Sequence, residues 1–414
     1  MRRRQFLIGG SAAASFAALH GRSAWAARGA AAGGKRLIVV MLRGAADGLN
    51  IVVPHGEPAY YAARPRLAIA RPGSIHGALD LDGHFGLHPA LSPLLPFWRD
   101  RSLAFVHACG SPDPTRSHFD GQTYLENGTP GRKTTTDGWM ARLLDVLPPA
   151  GGVRAIALGA NVPLILTGRL PVANMPVGPG ADRPTVADRP AVAAAFDRLY
   201  AADDPLGRAY REARIVRAEA LGGQTSDPRS AEARMADNGA PPPGGFAKAA
   251  VQLARLIDRE PDIQLAFLAY GDWDTHSNQG SYIGVLAANL RAMADGLVAL
   301  ARGLGPHYRD TVILVLSEFG RRLKENVSGG TDHGRGNVAW LLGGPVDGGR
   351  VFGQWPGLAA DRLVEGLDLA VTTDYRAVAA VLIERLFRPS DRDLAHVFPD
   401  APPGSAALAG LVNA

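Results

Sequence analysis

Short, continuous runs of apolar residues recur along the chain, each followed by a polar or glycine-rich turn. The clearest runs cover residues 36–42, 103–108, 263–270, 311–316 and 337–342. Because they lack the alternation of a half-buried strand, they predict strands buried on both faces, as in a parallel sheet. Apolar residues at helical spacing predict helices over residues 118–126, 246–257, 283–304 and 375–387. The two patterns alternate, which predicts an α/β fold with a doubly wound, mostly parallel sheet flanked by helices.

Two proline- and glycine-rich stretches interrupt this pattern. Residues 171–190 are rich in Pro, Gly, Ala and Asp, and residues 225–245 contain three consecutive prolines and few large apolar side chains. Both predict surface excursions, and the second predicts a mobile loop. The remaining length suffices for a substantial core, so we expect residues 27–414 to form a single domain.

The first residues carry the pattern of an export signal. Arg3 and Arg4 precede a weakly apolar stretch rich in Gly and Ala that ends near Leu19, and Ala24-Trp25-Ala26 forms an A-x-A cleavage site. This predicts a twin-arginine signal over residues 1–26, contact with the twin-arginine translocon, and a periplasmic or secreted product. A basic, disordered N-terminus is the alternative. The apolar stretch is too short for a permanent membrane anchor.

Composition and charge narrow the range of functions. Hydrophobic residues make up 46% of the chain and charged residues 20%, as in a soluble globular protein. The formal net charge is +5, but Arg2, Arg3, Arg4 and Arg22 belong to the signal and leave about +1 without them, so we expect no nucleic-acid partner. The single cysteine, Cys109, excludes an intrachain disulfide and a cysteine-based zinc site, and its apolar surroundings predict a buried thiol.

Polar clusters follow the predicted strands where their carboxyl ends should lie. In open α/β sheets, ligands bind at that edge. Asp, Glu and His are the ligands that zinc, manganese and magnesium prefer, so these clusters predict a site for one or two divalent ions. The candidates are Asp47; Ser117 and His118; Asp272 and His276 with Glu318; and Asp332 with His333.

Among these candidates the turn after residue 270 carries the strongest motif. Asp272 and His276 are separated by three residues, and a turn of that length can direct both side chains at one ion. Asp274 between them is the weaker carboxylate and more typical of a turn residue. His333 lies between Asp332 and a glycine, where a packed core histidine is hard to explain.

Other candidates have structural interpretations that the sequence leaves open. Asp47 lies in a glycine-rich loop and could cap a turn. Ser117 is a natural N-cap for the helix that follows, and His118 could be a packed histidine. Glu318 could form an ion pair with Arg321 or Arg322.

The order of these motifs resembles the alkaline phosphatase-like superfamily of phosphatases, sulfatases and phosphodiesterases. A closer resemblance, over nearly the whole mature chain, is to the bacterial domain of unknown function 1501 family, whose members typically carry twin-arginine signals. It rests on residues 43–50 (RGAADGLN), 85–88 (FGLH), 117–119 (SHF), 271–276 (GDWDTH), 317–321 (SEFGR) and 332–334 (DHG).

The superfamily resemblance implies a mechanism and a set of ligands. One ion would be held by Asp272, His276 and His333, and a second by Asp47, the nucleophile Ser117 and Glu318. Two cations would clamp a small anionic phosphate or sulfate ester and activate the hydroxyl. Either Arg116 or Arg43 would steady the non-bridging oxygens. The implied activity is that of an exported, metal-dependent phosphoric or sulfuric ester hydrolase.

Two departures from the superfamily pattern keep other functions open. Active relatives usually carry Ser-Asp-His-Gly where this chain has Ser317-Glu318-Phe319-Gly320. Phenylalanine cannot ligate a metal, so the second site loses a ligand unless His118 or another side chain supplies one. The sulfatase Cys/Ser-x-Pro-x-Arg pattern, applied to Arg116, would place Pro112 at the nucleophile. The alternatives are a single-metal hydrolase, a catalytically silent relative that binds an anionic or carbohydrate ligand or a partner protein, or a metal-assisted enzyme of another class.

Overall fold

The computed structural model describes residues 34–149, 152–159, 161–177, 190–201, 235–400, 402 and 406–413. The strands, numbered along the chain, are β1 (Arg36–Leu42), β2 (Val52–Val53), β3 (Leu79–Asp80), β4 (Gly86–Leu87), β5 (Leu103–Gly110), β6 (Ala155–Leu158), β7 (Ala173–Met175), β8 (Leu265–Tyr270), β9 (Thr311–Ser317), β10 (Arg321–Glu325), β11 (Thr331–His333), β12 (Asn337–Gly343), β13 (Val351–Phe352) and β14 (Thr373–Asp374).

The α-helices are α1 (Gly48–Ile51), α2 (Pro58–Ala63), α3 (Leu95–Arg99), α4 (His118–Asn127), α5 (Trp139–Val146), α6 (Pro190–Leu199), α7 (Phe246–Arg259), α8 (Val285–Gly303), α9 (Tyr375–Phe387) and α10 (Asp391–Val397). Short 3₁₀ helices cover Pro89–Leu94, Leu164–Leu166, Pro243–Gly245, Gly305–Asp310, Ala360–Arg362 and Ala406–Leu408.

One mixed, mostly parallel sheet organises the molecule, as the sequence predicted. Within the described residues its strand order is β13-β5-β12-β9-β1-β8-β6-β7, with β14 beside β5. The central strand β1 pairs in parallel with both β8 and β9, and β6 pairs in parallel with β7 and β8. Strand β12 is the exception, since it is antiparallel to β5 and to β9. The chain reaches β12 from β9 through the hairpin β10–β11 rather than through a crossover helix, and a return of that kind reverses the strand direction.

The two faces of the sheet are covered by separate layers of helices. Along β1, Ile38 and Val40 belong to a hydrophobic cluster that also contains residues of α7 and α8, whereas Val39 and Met41 belong to a cluster with residues of α5 and α9. All residues of β1 are buried. This two-sided burial explains why the strands show as unbroken apolar runs.

The predicted helices and caps are confirmed with small shifts at their ends. Ser117 is the N-cap of α4, and its side chain accepts a hydrogen bond from the Asp120 N–H. Asp374 caps α9 and accepts from the Arg376 N–H. Cys109 is buried in the sheet, and burial raises the pKa of its thiol, as expected for a structural cysteine.

The described parts of the two proline-rich stretches are ordered segments at the edge and the ends of the sheet. Residues 173–175 form β7 at the edge of the sheet. Residues 235–245 pack against the strand ends, with Ala236, Asp237 and Pro243 buried, and the Pro241 carbonyl accepts a hydrogen bond from the Gly271 N–H at 2.8 Å. Small side chains allow this close backbone contact. Residues 178–189 and 225–234, and the predicted signal over residues 1–26, lie outside the described residues.

The sheet topology brings the polar clusters together. Strand β1 is parallel to both β8 and β9. Strand β5 runs in the same direction, because β12 lies between β5 and β9 and is antiparallel to both. The carboxyl ends of these four strands therefore meet at one edge, while β12 begins there and brings the segment that contains His333. Across the part of the chain described here, no helix has the length and apolar character to cross a membrane.

Candidate metal centre

Four side chains converge at this edge and form what we call the histidine–aspartate cluster: His118, Asp274, His276 and His333. The Nε2 atoms of His276 and His333 are 2.9 Å apart, and each lies 3.2 Å from the Asp274 Oδ1. The His118 Nε2 lies 3.5 Å from the Asp274 Oδ2. Ligand atoms of His118, Asp274 and His333 all fall within 4.8 Å of one another.

His118 is held in position by a buried carboxylate. It occupies the first turn of α4, and its Nδ1–H donates to the Glu318 Oε1 at 2.8 Å. Glu318 is fully buried, and its Oε1 also accepts from the Gly44 N–H at 2.8 Å and from the Gln122 amide at 3.2 Å. The His118 Nε2, in contrast, is buried without a hydrogen-bond partner. Burial opposes the imidazolium charge, but Asp274 and Glu318 outweigh it and raise the pKa of His118 to about 9.

The other two histidines also have an oxygen atom near Nδ1. The His333 Nδ1–H donates to the Arg116 carbonyl at 2.9 Å, and the His276 Nδ1 lies 3.7 Å from the Asp332 Oδ1. Metal-bound histidines in proteins almost always donate their second ring N–H to a carboxylate or a carbonyl, because this fixes the tautomer and turns the other nitrogen to the ion. His118 and His333 follow that rule, whereas the His276 Nδ1 is too far from Asp332 for a hydrogen bond.

Asp274 is anchored by a buried guanidinium. Arg321 donates to the Asp274 Oδ1 at 2.6 Å, and its other N–H groups bind backbone carbonyls of Gly44, Ala45, Trp273 and Thr331. Burial favours the neutral acid, but the neighbouring His118 and His333 rings and the charge of Arg321 outweigh it, so the pKa of Asp274 is held far below its usual range. Asp274 is therefore a fixed anion.

The cluster fits one divalent ion. The ligand atoms close enough together for one ion are two imidazole nitrogens and a carboxylate, from His118, His333 and Asp274, a donor set that suits zinc and also manganese. Ligand atoms about 2.0–2.1 Å from a tetrahedral zinc ion lie about 3.3 Å apart, close to the 3.2 and 3.5 Å that separate the Asp274 carboxylate from His333 and His118. The unpartnered His118 Nε2 gives the same indication, because buried polar atoms without a partner are rare in proteins.

Phe319 closes the inner side of the cluster. Its ring centroid lies 5.1 Å from that of His118 and 5.1 Å from that of His333. Gly121 allows this packing, because a Cβ at that position would lie 3.0 Å from the Phe319 ring. The phenylalanine thus supplies no ligand but restricts the orientation of two histidine rings.

Asp47 lies at the same edge in a different environment, and a second ion does not fit there. Its carboxylate accepts from Arg64 at 2.6 and 3.0 Å and from the Gln279 amide at 2.7 Å. Both Asp47 and Arg64 are fully buried. The remaining N–H groups of Arg64 bind the Leu323 and Arg322 carbonyls and the Asn50 amide oxygen. The hydrogen-bonding groups of both side chains are engaged. A guanidinium therefore binds Asp47 where the resemblance implied a metal.

The turn after β8 uses a different aspartate from the one that the spacing favoured. Asp272 has a left-handed backbone (φ 70°), its N–H donates to the Asp237 carboxylate, and its own carboxylate accepts from Asn289 on α8. The structure therefore directs Asp272 away from the cluster and places Asp274 in it. Spacing alone could not decide between the two, because each lies within one turn of His276.

The remaining candidates lie around the rim. Ser117 is exposed at the start of α4, directly before His118. The Arg116 side chain is engaged by Glu365 and Asp368, so only its carbonyl takes part in the cluster. Asp332 accepts from Asn326 at 3.0 Å and is about half exposed.

Arg43 and Glu318 are already engaged by other side chains. Arg43 forms a buried ion pair with Glu126 at 2.7 Å, which leaves it unavailable to a substrate oxygen without rearrangement. Glu318 does not pair with an arginine: it binds His118, and Arg321 binds Asp274 instead. The sequence alone could have indicated a site role for Arg321, because this residue directly follows the strand-end motif. It carries no such signal for Arg64, Gln122 and Gln279, because their partners are distant in sequence.

The family model described as "Protein of unknown function (DUF1501)" matches residues 34–398. No curated protein matches the chain. Among solved structures, the chain is similar to the PsFucS1 sulfatase from Pseudoalteromonas sp. (12% identity, 92% of this chain and 72% of that chain, TM-score 0.43). It is also similar to the phosphonate monoester hydrolase SpPMH from Silicibacter pomeroyi (13%, 89% and 77%, TM-score 0.36).

A third similar structure is the C-terminal periplasmic domain of EcEptC from Escherichia coli in complex with Zn (9%, 75% and 73%, TM-score 0.35). At these scores the structural likenesses decide nothing about the chemistry of this chain. The family match carries more weight, since it extends from two residues before β1 to one residue after α10. The chain belongs to the DUF1501 family of proteins of unknown function.

Proposed function

We propose that this protein is an exported, metal-dependent hydrolase of phosphate or sulfate esters that works with one divalent ion. The observation that carries the proposal is the convergence of His118 and His333 on the Asp274 carboxylate, each of these two histidines being fixed by a hydrogen bond at Nδ1, with His276 beside them. A nitrogen-rich set of this kind favours zinc or manganese over magnesium. The order of the site motifs along the sequence supports the ester class.

Most of the protein's contribution is positioning. Glu318 holds the Nδ1 proton of His118, and the Arg116 carbonyl holds that of His333, so the Nε2 atoms of both rings face Asp274. Arg321 keeps Asp274 ionised and fixed. When bound, the ion would neutralise charge on the ester oxygens and favour ionisation of a nearby hydroxyl.

Ser117 is the proposed nucleophile. Its hydroxyl is exposed beside His118 at the N-terminus of α4, where the helix dipole favours negative charge. Its Oγ would bond to phosphorus or sulfur while the bond to the substrate alcohol breaks. The serine proton and the electron pair of the broken bond would leave with the alcohol. Water would then cleave the serine ester and regenerate the hydroxyl.

The second candidate is a catalytically silent protein that binds an anionic ligand or a partner protein. It is favoured by one observation: the Asp47 carboxylate is bound by Arg64 and Gln279, so among the described residues one candidate cation centre remains where the superfamily resemblance implies two. Both candidates include the metal, and they differ in turnover.

Export through the twin-arginine translocon is part of the proposal, based on Arg3, Arg4 and the A-x-A site. This route carries folded proteins, which suits a site whose side chains come from three separate segments of the chain: after β5, after β8, and in β11. We expect the protein in the periplasmic fraction of the native host, and expect Arg3→Lys with Arg4→Lys to retain it in the cytoplasm. Periplasmic protein in that double variant would contradict this route.

The central experiment measures metal content and turnover in the same samples. We expect about one zinc or manganese per chain by elemental analysis, and turnover of an aryl phosphate or an aryl sulfate. His333→Ala should lose both. His396→Ala is the matched control, because His396 is exposed on α10 and should change neither. A protein that contains no metal after supplementation would refute the hydrolase proposal.

Ser117 needs a variant that keeps the helix cap. Ser117→Asn preserves capping but removes the hydroxyl, so turnover should fall at least about 1,000-fold while the metal remains. Ser390→Ala, which removes the cap of α10, is the control for any capping effect. Unchanged turnover in Ser117→Asn would exclude Ser117 as nucleophile, and bound metal with no turnover of any ester would favour the silent binding protein.

A further inference from the structure

The Gln279 side chain is bonded to three separate parts of the chain beside the cluster. It is fully buried in the loop that follows β8, three residues after His276. Its Nε2 donates to the Asp47 carboxylate at 2.7 Å, and its Oε1 accepts from the hydroxyls of Thr275 and Thr331 at 2.8 Å each. One carboxylate acceptor and two hydroxyl donors fix the orientation of this amide chemically.

The two threonines belong to two of the three chain segments that carry the cluster. Thr275 lies between Asp274 and His276, and Thr331 begins β11, two residues before His333. The two segments are in direct contact, because the Thr331 N–H donates to the Thr275 carbonyl at 3.1 Å. One amide oxygen receives a hydroxyl proton from each segment, so its position governs how the two segments lie against each other.

The amide is itself held by a buried ion pair. Asp47 binds Arg64 through both carboxylate oxygens, at 2.6 and 3.0 Å, and both side chains are fully buried. Arg64 also donates to the carbonyls of Leu323 and Arg322 on β10, the strand that pairs with β11. The carboxylate that the superfamily resemblance assigned to a second ion is therefore a fixed acceptor for Gln279.

A second amide joins the same two segments nearer to the solvent. The Asn326 Nδ2 donates to the His276 carbonyl at 2.8 Å and to the Asp332 Oδ1 at 3.0 Å. Asn326 and Asp332 are partly exposed, so water can replace these bonds. Gln279 is fully buried, and its loss would leave two threonine hydroxyls without an acceptor. The buried amide is therefore the stronger link of the two.

We propose that Gln279 is a positioning residue that sets the geometry of the metal centre by holding the Asp274 turn against β11. The inference rests on the ion of the proposed function but not on turnover, because both candidate functions include that ion. Outer partners of ligands typically change metal affinity about 10–100-fold when they are removed. Gln279 touches no ligand side chain and acts through two backbone segments, so we expect an effect at the lower end of that range.

The test is competition with a chelator for Co²⁺ in the full chain, together with the visible spectrum of the bound ion, which reports its coordination geometry. Gln279→Met keeps the side-chain length and removes all three bonds. The Co²⁺ affinity should fall about tenfold and the visible bands should shift, while about one ion per chain still binds at saturation. Thr275→Val and Thr331→Val should each weaken binding about threefold, and about tenfold together.

Thr311→Val is the matched control. The Thr311 hydroxyl is equally buried and donates to the His307 carbonyl at 2.8 Å, but it lies at the start of β9, at the opposite end of that strand from the site. Its loss should lower the melting temperature about as much as Thr331→Val does, because each removes one buried hydrogen bond. The Co²⁺ affinity should stay within about twofold of wild type, and the spectrum should not shift.

Three results would overturn the proposal. The first is an unchanged affinity and spectrum in a folded Gln279→Met protein; if that variant does not fold, the same result in Thr275→Val combined with Thr331→Val decides. The second is an equal loss of affinity in Thr311→Val, which would show that lower stability alone weakens binding. The third is a wild type that takes up no Co²⁺, which would also refute the metal centre, whereas the first two leave the proposed function intact.

Discussion

Two buried carboxylates at the same edge of the sheet have opposite surroundings. Asp47 follows β1 and is closed off by the Arg64 guanidinium and the Gln279 amide. Asp274 follows the neighbouring strand β8, and although Arg321 binds one of its oxygens, three imidazole nitrogens face it. Both positions satisfy the usual description of a metal ligand in an α/β fold, yet only Asp274 is surrounded by further donors.

The difference shows what makes a site available to an ion. A guanidinium has no lone pair, so pairing with Arg64 neutralises Asp47 and completes its hydrogen bonds at once. An imidazole fixed through Nδ1 keeps a lone pair on Nε2, and the ring therefore adds a ligand. Burial and charge are the same at both positions, and the partner decides whether the carboxylate is structural or can bind metal.

The largest expected effect tests this contrast directly. Asp274→Asn should reduce bound metal from about one ion per chain to less than about 0.1 after dialysis, because it removes the only anionic donor of the cluster. Asp47→Asn should leave the metal content unchanged. The measurement is elemental analysis, with Asp272→Asn as control. Metal lost from a folded Asp47→Asn protein would mean that the two carboxylates share an ion after all.

A second test concerns the stability that the Arg64–Asp47 pair provides. Arg64→Met leaves a buried carboxylate with the Gln279 amide alone and should lower the free energy of unfolding by about 3–5 kcal/mol. Arg66→Met is the matched control, because Arg66 pairs with Glu325 but is 57% exposed; we expect less than about 1 kcal/mol there. Urea denaturation measures both. Equal losses in the two variants would contradict a structural role that depends on burial.

A third test uses His88, a histidine near Asp47 that lacks a free nitrogen. Its Nε2–H donates to the Ser281 carbonyl, and its Nδ1 accepts from the Ala90 N–H. Burial lowers the pKa of His88 to about 4 from 6.5. The unfolded chain thus binds a proton first, so stability is full above pH 6.5 and falls by about 3 kcal/mol as the pH drops toward 4. His88→Gln should flatten that slope by about one proton, and an unchanged slope would exclude His88 as its source.

The sequence predicted which edge of the sheet carries the candidate site better than it predicted which side chains could bind the ion. Continuous apolar runs located β1, β5, β8, β9 and β12, and strand direction then brought their polar ends together. Which aspartate turns inward depends on local backbone geometry, such as the positive φ of Asp272, that residue spacing does not encode. The pairing of Asp47 with Arg64 depends on where the chain after α2 lies against β10, and a single sequence carries no signal for that contact.

The smallest effect concerns the buried carboxylate behind His118. Glu318→Gln keeps the shape of the side chain but removes the charge that fixes the Nδ1–H tautomer of His118. Loss of such an outer partner typically lowers metal affinity about 10–100-fold, which is less than the loss of a ligand. Competition with a chelator would measure it, with Glu325→Gln as control, because the Glu325 carboxylate binds Arg66 and no cluster histidine. If Glu318→Gln removed the metal as completely as Asp274→Asn, Glu318 would have to be a ligand itself. An affinity within about threefold of wild type would instead mean that His118 is no ligand, and that His276, His333 and Asp274 suffice to hold the ion.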